Sequence, residues 1–471
     1  MEESRGTGII CLLGCRVDVV AVRGVKPHIR ERILQDMPLR PSPPSSAIVT
    51  VKDCLCNDLY AGFSVVLLSR QIARTLPSSG LHLIFELVSN GGGDMRPDIG
   101  TYYELVDSVA GRISPKLSFL NYRGADLEAW RARARAKVHE LMAFDPEPVP
   151  LNPRVESSWE DGELVVEKIS YDLPYGPRTE GFFLYPKGSG GKLPAVVALH
   201  DHGGFKYFGK EKIVAVPDEP EVLREFKEEC YGGRSWATEL ARRGFAVLAV
   251  DLFLWGSRKV GVDSLPEEFG RRFEGLREGS REYIEEYNRF AGEHEHLIAK
   301  TLFATGTTWP GVFSWEDRRS VDCLLTRPEV DPERIGCGGL SGGGLRTIFL
   351  AGLDPRIRCA VCVGFMSTFR ELLFDHIKCH TWMLYLPLLP RYLDLPDLIA
   401  LRVPEPLMVQ YDEKDPLYTL KGQMEAHQKL KAIYEKAGCP EAYEGRFYLG
   451  PHKFDREMQE DAFGWFERWL K

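Results

Sequence analysis

The sequence predicts an α/β fold, with a doubly wound, mostly parallel sheet, helical cap insertions and an N-terminal extension. Three observations carry that expectation. From Lys192 onward, short uninterrupted runs of Val, Ile, Leu and Ala alternate with amphipathic stretches long enough for helices. A strand that is apolar at every position is covered on both faces, the condition of a parallel sheet layered with helices. No internal repeat is visible, and 471 residues suffice for one large core with extra pieces.

Taken in order, residues 1–94 show no sustained period and carry Gly, Pro and Ser clusters at 41–46, 78–80 and 91–93. They are expected to be a poorly ordered extension, or to precede a native start at Met95. Residues 95–150 read as a helical segment in which Leu127, Trp130, Ala134 and Val138 share one face. The main domain spans 151–471. Strand-like runs at 164–169 and 179–185 flank the turn Pro174-Tyr175-Gly176-Pro177. Buried strands follow at 194–199, 245–250, 334–338, 357–363, 406–410 and 446–449. Helices are predicted at 220–243, 314–326, 343–352, 420–436 and 455–470. Two stretches, 256–308 and 366–401, interrupt this alternation. The first holds a charged helix over 281–300, and the second carries Trp382, Tyr385, Leu386, Leu388 and Tyr392, so both are expected to cap the site.

Composition narrows the class. A net charge of −8 argues against nucleic acid as the main partner, and no run approaches the ~20 apolar residues of a membrane span. The 11 cysteines are odd in number and scattered, which suits reduced thiols in a cytoplasmic protein. Cys359 and Cys362 form a CxxC, but in a strand positions three apart face opposite ways and cannot share a metal. Leu12-Leu13-Gly14-Cys15 superficially resembles a lipoprotein cleavage site, behind too short an apolar run. Cys54 and Cys56 support nothing.

The chemistry gathers around Gly339-Leu340-Ser341-Gly342-Gly343, a G-x-S-x-G pattern between a strand and a helix. A serine there sits on a sharp strained turn that lifts its hydroxyl above the sheet, and the glycines avoid collisions with strand and helix. The Gly342 amide then faces the same space as an oxyanion donor. In such elbows an acid and then a histidine follow the serine along the chain. Asp415 lies in the loop beyond the strand 406–410 and is fixed by Pro416, with Asp412 and Asp375 as fallbacks. His452 follows the last strand and precedes the final helix, where it can reach Ser341 and be oriented by Asp415. A second donor is expected from Leu199-His200-Asp201-His202-Gly203-Gly204, at His202 or Gly203. His200, Asp201 and His202 could be misread as metal ligands, but nothing else in the chain completes a metal site. Glu316 and Asp317 are read as structural carboxylates opening a helix.

From about Leu193 onward the chain resembles the bacterial acetyl xylan esterase and dienelactone-hydrolase-like branch of the α/β hydrolases. The matching pieces are His200-Asp201-His202-Gly203-Gly204, Asp251-Leu252-Phe253-Leu254-Trp255-Gly256-Ser257-Arg258, the approach from Arg327 to Ile335, Leu353-Asp354-Pro355-Arg356-Ile357, and Tyr392 through Asp397. The resemblance implies a Ser341–His452–Asp415 triad, an acyl-enzyme intermediate, and hydrolysis of a carboxylic ester, often an acetyl group on a sugar. It implies no cofactor. Two departures stand out: Glu405 where such proteins usually carry arginine, and Asp201 where a glycine is usual. Dienelactone hydrolases use a cysteine nucleophile, so Ser341 points to an esterase. Arg258 and Trp309 are candidates to touch a small-molecule or carbohydrate ester. Rival readings are a serine peptidase of the prolyl-oligopeptidase type, whose propeller repeats are missing here, and a non-catalytic relative acting as a binding protein.

Overall fold

The computed structural model describes residues 96–124 and 126–471, together with four short strands nearer the N-terminus. Those four pair locally and antiparallel: β1 (Ile9–Leu12) with β2 (Cys15–Asp18), and β3 (Val49–Thr50) with β4 (Val66–Leu67). The expected disorder of the rest of 1–94, the start at Met95, and Cys54 and Cys56 lie outside the described residues.

From Pro97 onward the chain forms one unit around a nine-stranded sheet. Its strands are β5 (Arg154–Asp161), β6 (Leu164–Tyr171), β7 (Thr179–Pro186), β8 (Leu193–Ala198), β9 (Ala246–Val250), β10 (Val330–Leu340), β11 (Ile357–Val363), β12 (Leu407–Asp412) and β13 (Tyr443–Tyr448). They lie in the order β13-β12-β11-β10-β8-β9-β7-β6-β5. The six strands from β13 to β9 run parallel, and β7, β6 and β5 add antiparallel.

The parallel strands read as continuous apolar runs because both faces are packed. Ala246, Leu248 and Val250 point into one core layer, while Val247 and Ala249 point into the other. The same alternation puts Cys362 in the first layer and Cys359 in the second, so the CxxC thiols face apart. Burial pushes both thiols well up from their usual range. Strand β5 escaped sequence reading. It is the exposed edge strand, and with no buried face nothing imposes apolar alternation on it.

The helices depart from expectation where a local signal intervenes. The segment 95–150 holds two helices, α1 (Tyr103–Ala110) and α2 (Leu127–Met142), separated by a stretch containing Gly111 and Pro115. Trp130, Ala134 and Val138 are buried, as their spacing implies, and Leu127 packs at the edge. The predicted 220–243 helix splits into α3 (Glu221–Tyr231) and α4 (Trp236–Arg242), because Gly232 and Gly233 turn left-handed at φ 59° and 71°. The first insertion carries the short α5 (Glu267–Gly270) and the long α6 (Arg281–Ala304). Helix α7 (Trp309–Leu324) starts five residues before expectation. Thr308 caps it, accepting the Gly311 N–H at 3.1 Å, with Pro310 in the first turn. Then follow α8 (Gly342–Leu353), α9 (Phe369–Leu372), α10 (Leu395–Ile399), α11 (Leu420–Lys436) and α12 (Arg456–Leu470).

Candidate active site

Ser341 stands between β10 and α8 at φ 57°, ψ −118°, a conformation a serine adopts only under constraint. Its N–H is held by the Val363 carbonyl at 2.9 Å, and its own carbonyl takes the Leu345 N–H at 2.9 Å. The flanking glycines have no room to be anything else. A Cβ on Gly339 would stand 2.1 Å from the Leu199 carbonyl oxygen, and one on Gly343 would stand 2.2 Å from the same atom. The end of β8 is pressed into the turn, and that pressure holds the serine up.

Of the three candidate carboxylates, the structure brings Asp415 to His452. Asp415 Oδ2 lies 2.6 Å from His452 Nδ1, and Asp415 Oδ1 accepts the Leu417 N–H at 2.9 Å. His452 Nε2 is buried without a hydrogen-bond partner among the described residues. The ring lies over Gly364, where an added Cβ would meet Cε1 at 3.0 Å, one residue beyond the carbonyl that anchors Ser341. Burial would lower the pKa of His452, but the hydrogen bond and charge of Asp415, with Asp412 alongside, hold it above the usual histidine value. Asp412 instead accepts the Lys453 N–H at 3.1 Å, and burial pushes its carboxyl up to about 7. Asp375 lies against His376 at 2.5 Å.

Asp412, Asp415 and His452 offer ligand atoms within 4.8 Å of one another, a spacing that could hold a cation. Their hydrogen bonds give another account of the cluster: Nδ1 of His452 is taken by Asp415, and Asp412 by a backbone amide.

The loop after β8 runs beside the elbow. A Cβ on Gly342 would lie 2.6 Å from the His202 backbone nitrogen, so the two expected donors are neighbours. Gly203 is left-handed at φ 56°, and a side chain there would strike Asp201 and Phe226. The loop is anchored from below. His200 donates Nδ1–H to the Asp201 carbonyl at 2.9 Å and accepts the Leu252 N–H on Nε2 at 3.3 Å. Burial, with Arg346 and Lys212 nearby, drives its pKa well below the usual value. His200, Asp201 and His202 are each engaged separately and do not converge on a common point.

Asp201, the departure from the family pattern, has a physical account. The buried Lys212 ammonium donates to the Asp201 carbonyl at 2.6 Å, its Oδ2 at 3.0 Å and the His202 carbonyl at 3.3 Å. The Tyr231 hydroxyl donates to the other carboxylate oxygen. Arg346, one turn into α8, ion-pairs with Asp317 at 2.6 Å and donates to the His200 carbonyl at 3.2 Å. Lys212, Tyr231 and Arg346 give no sequence signal, since each acts on a residue outside its own helix or turn, from 10 residues away for Lys212 to 146 for Arg346.

The structure places the two expected substrate contacts in the interior. Arg258 has a side chain only 1% exposed, spent on Glu316 at 2.7 Å and on the carbonyls of Tyr175 and Pro177. Trp309 is buried in the core at the start of α7, against Phe253. Arg258 has polar partners that a sequence does not show, and the Trp309 ring packs on apolar neighbours. Glu316 and Asp317, in turn, lie well inside α7 rather than at its start, and each faces a buried arginine.

A mostly parallel sheet, a strained serine between strand and helix, and a carboxylate–histidine pair after later strands define the α/β-hydrolase class, and the chain has that fold. No protein-family model matches the sequence. A Bacillus subtilis (strain 168) protein named "Putative hydrolase YtaP" is 24% identical over 343 residues, covering 72% of this chain and all of that one. Among solved structures, a "putative acetyl xylan esterase" of Bacteroides fragilis NCTC 9343 superposes with a TM-score of 0.58 at 18% identity, over 74% of this chain and 82% of that one. The glucuronoyl esterase of Solibacter usitatus gives a TM-score of 0.50 at 15% identity, over 76% and 99%. A methylesterase, BT1017, gives 0.51 at 20% identity, over 80% and 69%.

Proposed function

We propose that this chain is a serine esterase that cleaves a carboxylic ester, of short acyl group and with a carbohydrate as the alcohol, through an acyl-enzyme. The observation that carries the reading is the strained Ser341, anchored on Val363, with a histidine over the adjoining Gly364 whose Nδ1 is held at 2.6 Å by a buried aspartate and whose Nε2 has no partner among the described residues. Nε2 takes the Ser341 proton as Oγ attacks the ester carbonyl. The Gly342 and His202 or Gly203 amides hold the negative oxygen of the tetrahedral intermediate. On its collapse the alcohol leaves with the proton from His452. Water then attacks the acyl-serine, giving its proton to His452, and Ser341 is regenerated as the acid departs.

The names of the structural relatives support an ester but not one ester, since acetyl xylan, glucuronoyl and methyl esters differ in both acid and alcohol. The test is hydrolysis of p-nitrophenyl acetate and longer acyl esters by the natural chain and by Ser341→Ala. Turnover of short esters that is lost in the variant is expected. No turnover on any ester would overturn the reading, in favour of a serine peptidase if a fluorophosphonate still labels Ser341 and of a binding protein if it does not.

A further inference from the structure

Glu295 lies in the long helix α6 of the first insertion, the one charged residue on a buried face made by Tyr287, Phe290, Ala291 and Ala299, and it is 6% exposed. Its carboxylate collects three donors, two from the loop after β8 and one from the second insertion. Oε1 accepts from His202 Nε2 at 2.5 Å and from Lys206 Nζ at 2.6 Å, and Oε2 accepts from the Thr381 hydroxyl at 2.9 Å. Lys206 is fully enclosed, its ammonium 4.8 Å from the Trp255 ring centre and 5.3 Å from that of Trp309. His202 Nδ1 accepts the Gly204 N–H at 3.0 Å, which leaves the ring proton on Nε2, directed at Glu295. The His202 carbonyl is held as well, by the Trp255 indole N–H at 3.3 Å and by Lys212.

We infer that Glu295 is a positioning residue for the oxyanion hole: it fixes the His202–Gly203 segment through the His202 ring, as Lys212 and Trp255 fix it through the His202 carbonyl. The inference rests on the proposed role of Ser341. A carboxylate kept only to dock a helix could end on any side chain. This one ends on the residue whose backbone nitrogen adjoins Gly342. Because Glu295 belongs to the first insertion and Thr381 to the second, the two insertions meet at the carboxylate that holds the His202 ring. The hole is therefore complete only when both insertions are seated. Such preorganisation is worth most where charge appears only in the transition state, so its loss lowers kcat rather than raising KM.

The test compares on p-nitrophenyl acetate the natural chain, Glu295→Gln, the Glu295→Gln/Lys206→Met double variant, His202→Ala with and without Glu295→Gln, and Ser341→Ala. The double variant removes both buried charges together and so remains folded if the unpaired lysine unfolds the single one. A fall in kcat on the order of 100-fold is expected in the Glu295 variants, with KM within about twofold and fluorophosphonate labelling slowed in parallel. In a His202→Ala background, Glu295→Gln should cost less than about threefold more, since the tether is already cut. A folded Glu295→Gln/Lys206→Met protein with unchanged kcat would overturn the inference and leave a structural ion pair. Activity surviving in Ser341→Ala would overturn the esterase mechanism itself, a separate outcome.

Discussion

At the scale of single residues the proposed mechanism turns on His452, whose neutral form alone could accept the Ser341 proton. Burial disfavours its charge, yet the Asp415 contact prevails and raises its pKa above the ordinary 6.5. Above that pKa Nε2 is free, and below it the imidazolium cannot act as a base. The acid limb of kcat/KM is therefore expected above pH 6.5, rising with pH through the raised value. Asp415→Asn removes the charge that raises it and the acceptor that keeps the Nδ1–H tautomer. Its acid limb should move to lower pH, and kcat/KM should fall by about 10³- to 10⁴-fold. A pH–rate series on both proteins checks this, and an unmoved limb in the variant would reassign the acid. Asp412 shows what a sequence leaves open at this scale. Asp412 ends strand β12 and Asp415 lies three residues on, and only the turn between them sends the second to the histidine while the first takes the Lys453 amide.

The elements show why the elbow is legible and its supports are not. Gly339 and Gly343 are required by backbone that lies close at hand, the Leu199 carbonyl, and such a demand leaves a compact motif in the sequence. Adding a methyl at Gly343 brings it to 2.2 Å from that oxygen and 3.2 Å from the His200 carbonyl, neither of which is a side chain that can swing away. Gly343→Ala is expected to cost about 2 kcal/mol or more in urea unfolding, and to lose activity beyond what its stability explains. Gly292→Ala, in exposed helix α6 with nothing within 4 Å of an added Cβ, is the control and should be neutral or slightly stabilising. The buried strands β8 to β12 were legible for the same kind of reason, since full burial constrains every position. Edge strand β5 was not, because solvent constrains almost none. The Glu295–His202 contact spans 93 residues, and one glutamate in a charged helix looks like any other until the fold brings it against the loop.

For the whole molecule the question is how much chain the fold and the site need. The residues from Pro97 onward form a unit with the complete nine-stranded sheet and both of its core layers. Its first residues are already tied down within that unit: the Asp98 N–H donates to the Phe374 carbonyl at 2.8 Å, Lys378 pairs with Asp98 at 2.6 Å, and Tyr103 meets Phe374 edge-on at 5.1 Å. A chain beginning at Met95 therefore loses none of these contacts, and it is expected to keep its melting temperature within about 2 °C and its esterase rate in full. Cutting farther in has a different consequence. Helix α2 buries Trp130, Ala134, Val138 and Met142 in the larger core layer, and Arg135 donates to the carbonyls of Gly352 at 2.9 Å and Leu401 at 3.2 Å. Lys436, at the end of α11, donates back to the Phe119 carbonyl at 2.7 Å. A chain beginning at Pro150 would expose that apolar surface and strand those carbonyls, and it should fail to fold, since each large buried side chain lost costs about 2–5 kcal/mol. Thermal unfolding and p-nitrophenyl acetate hydrolysis of the two shortened chains decide the matter. Loss of activity already at Met95 would mean that the first 94 residues take part in the hydrolase itself.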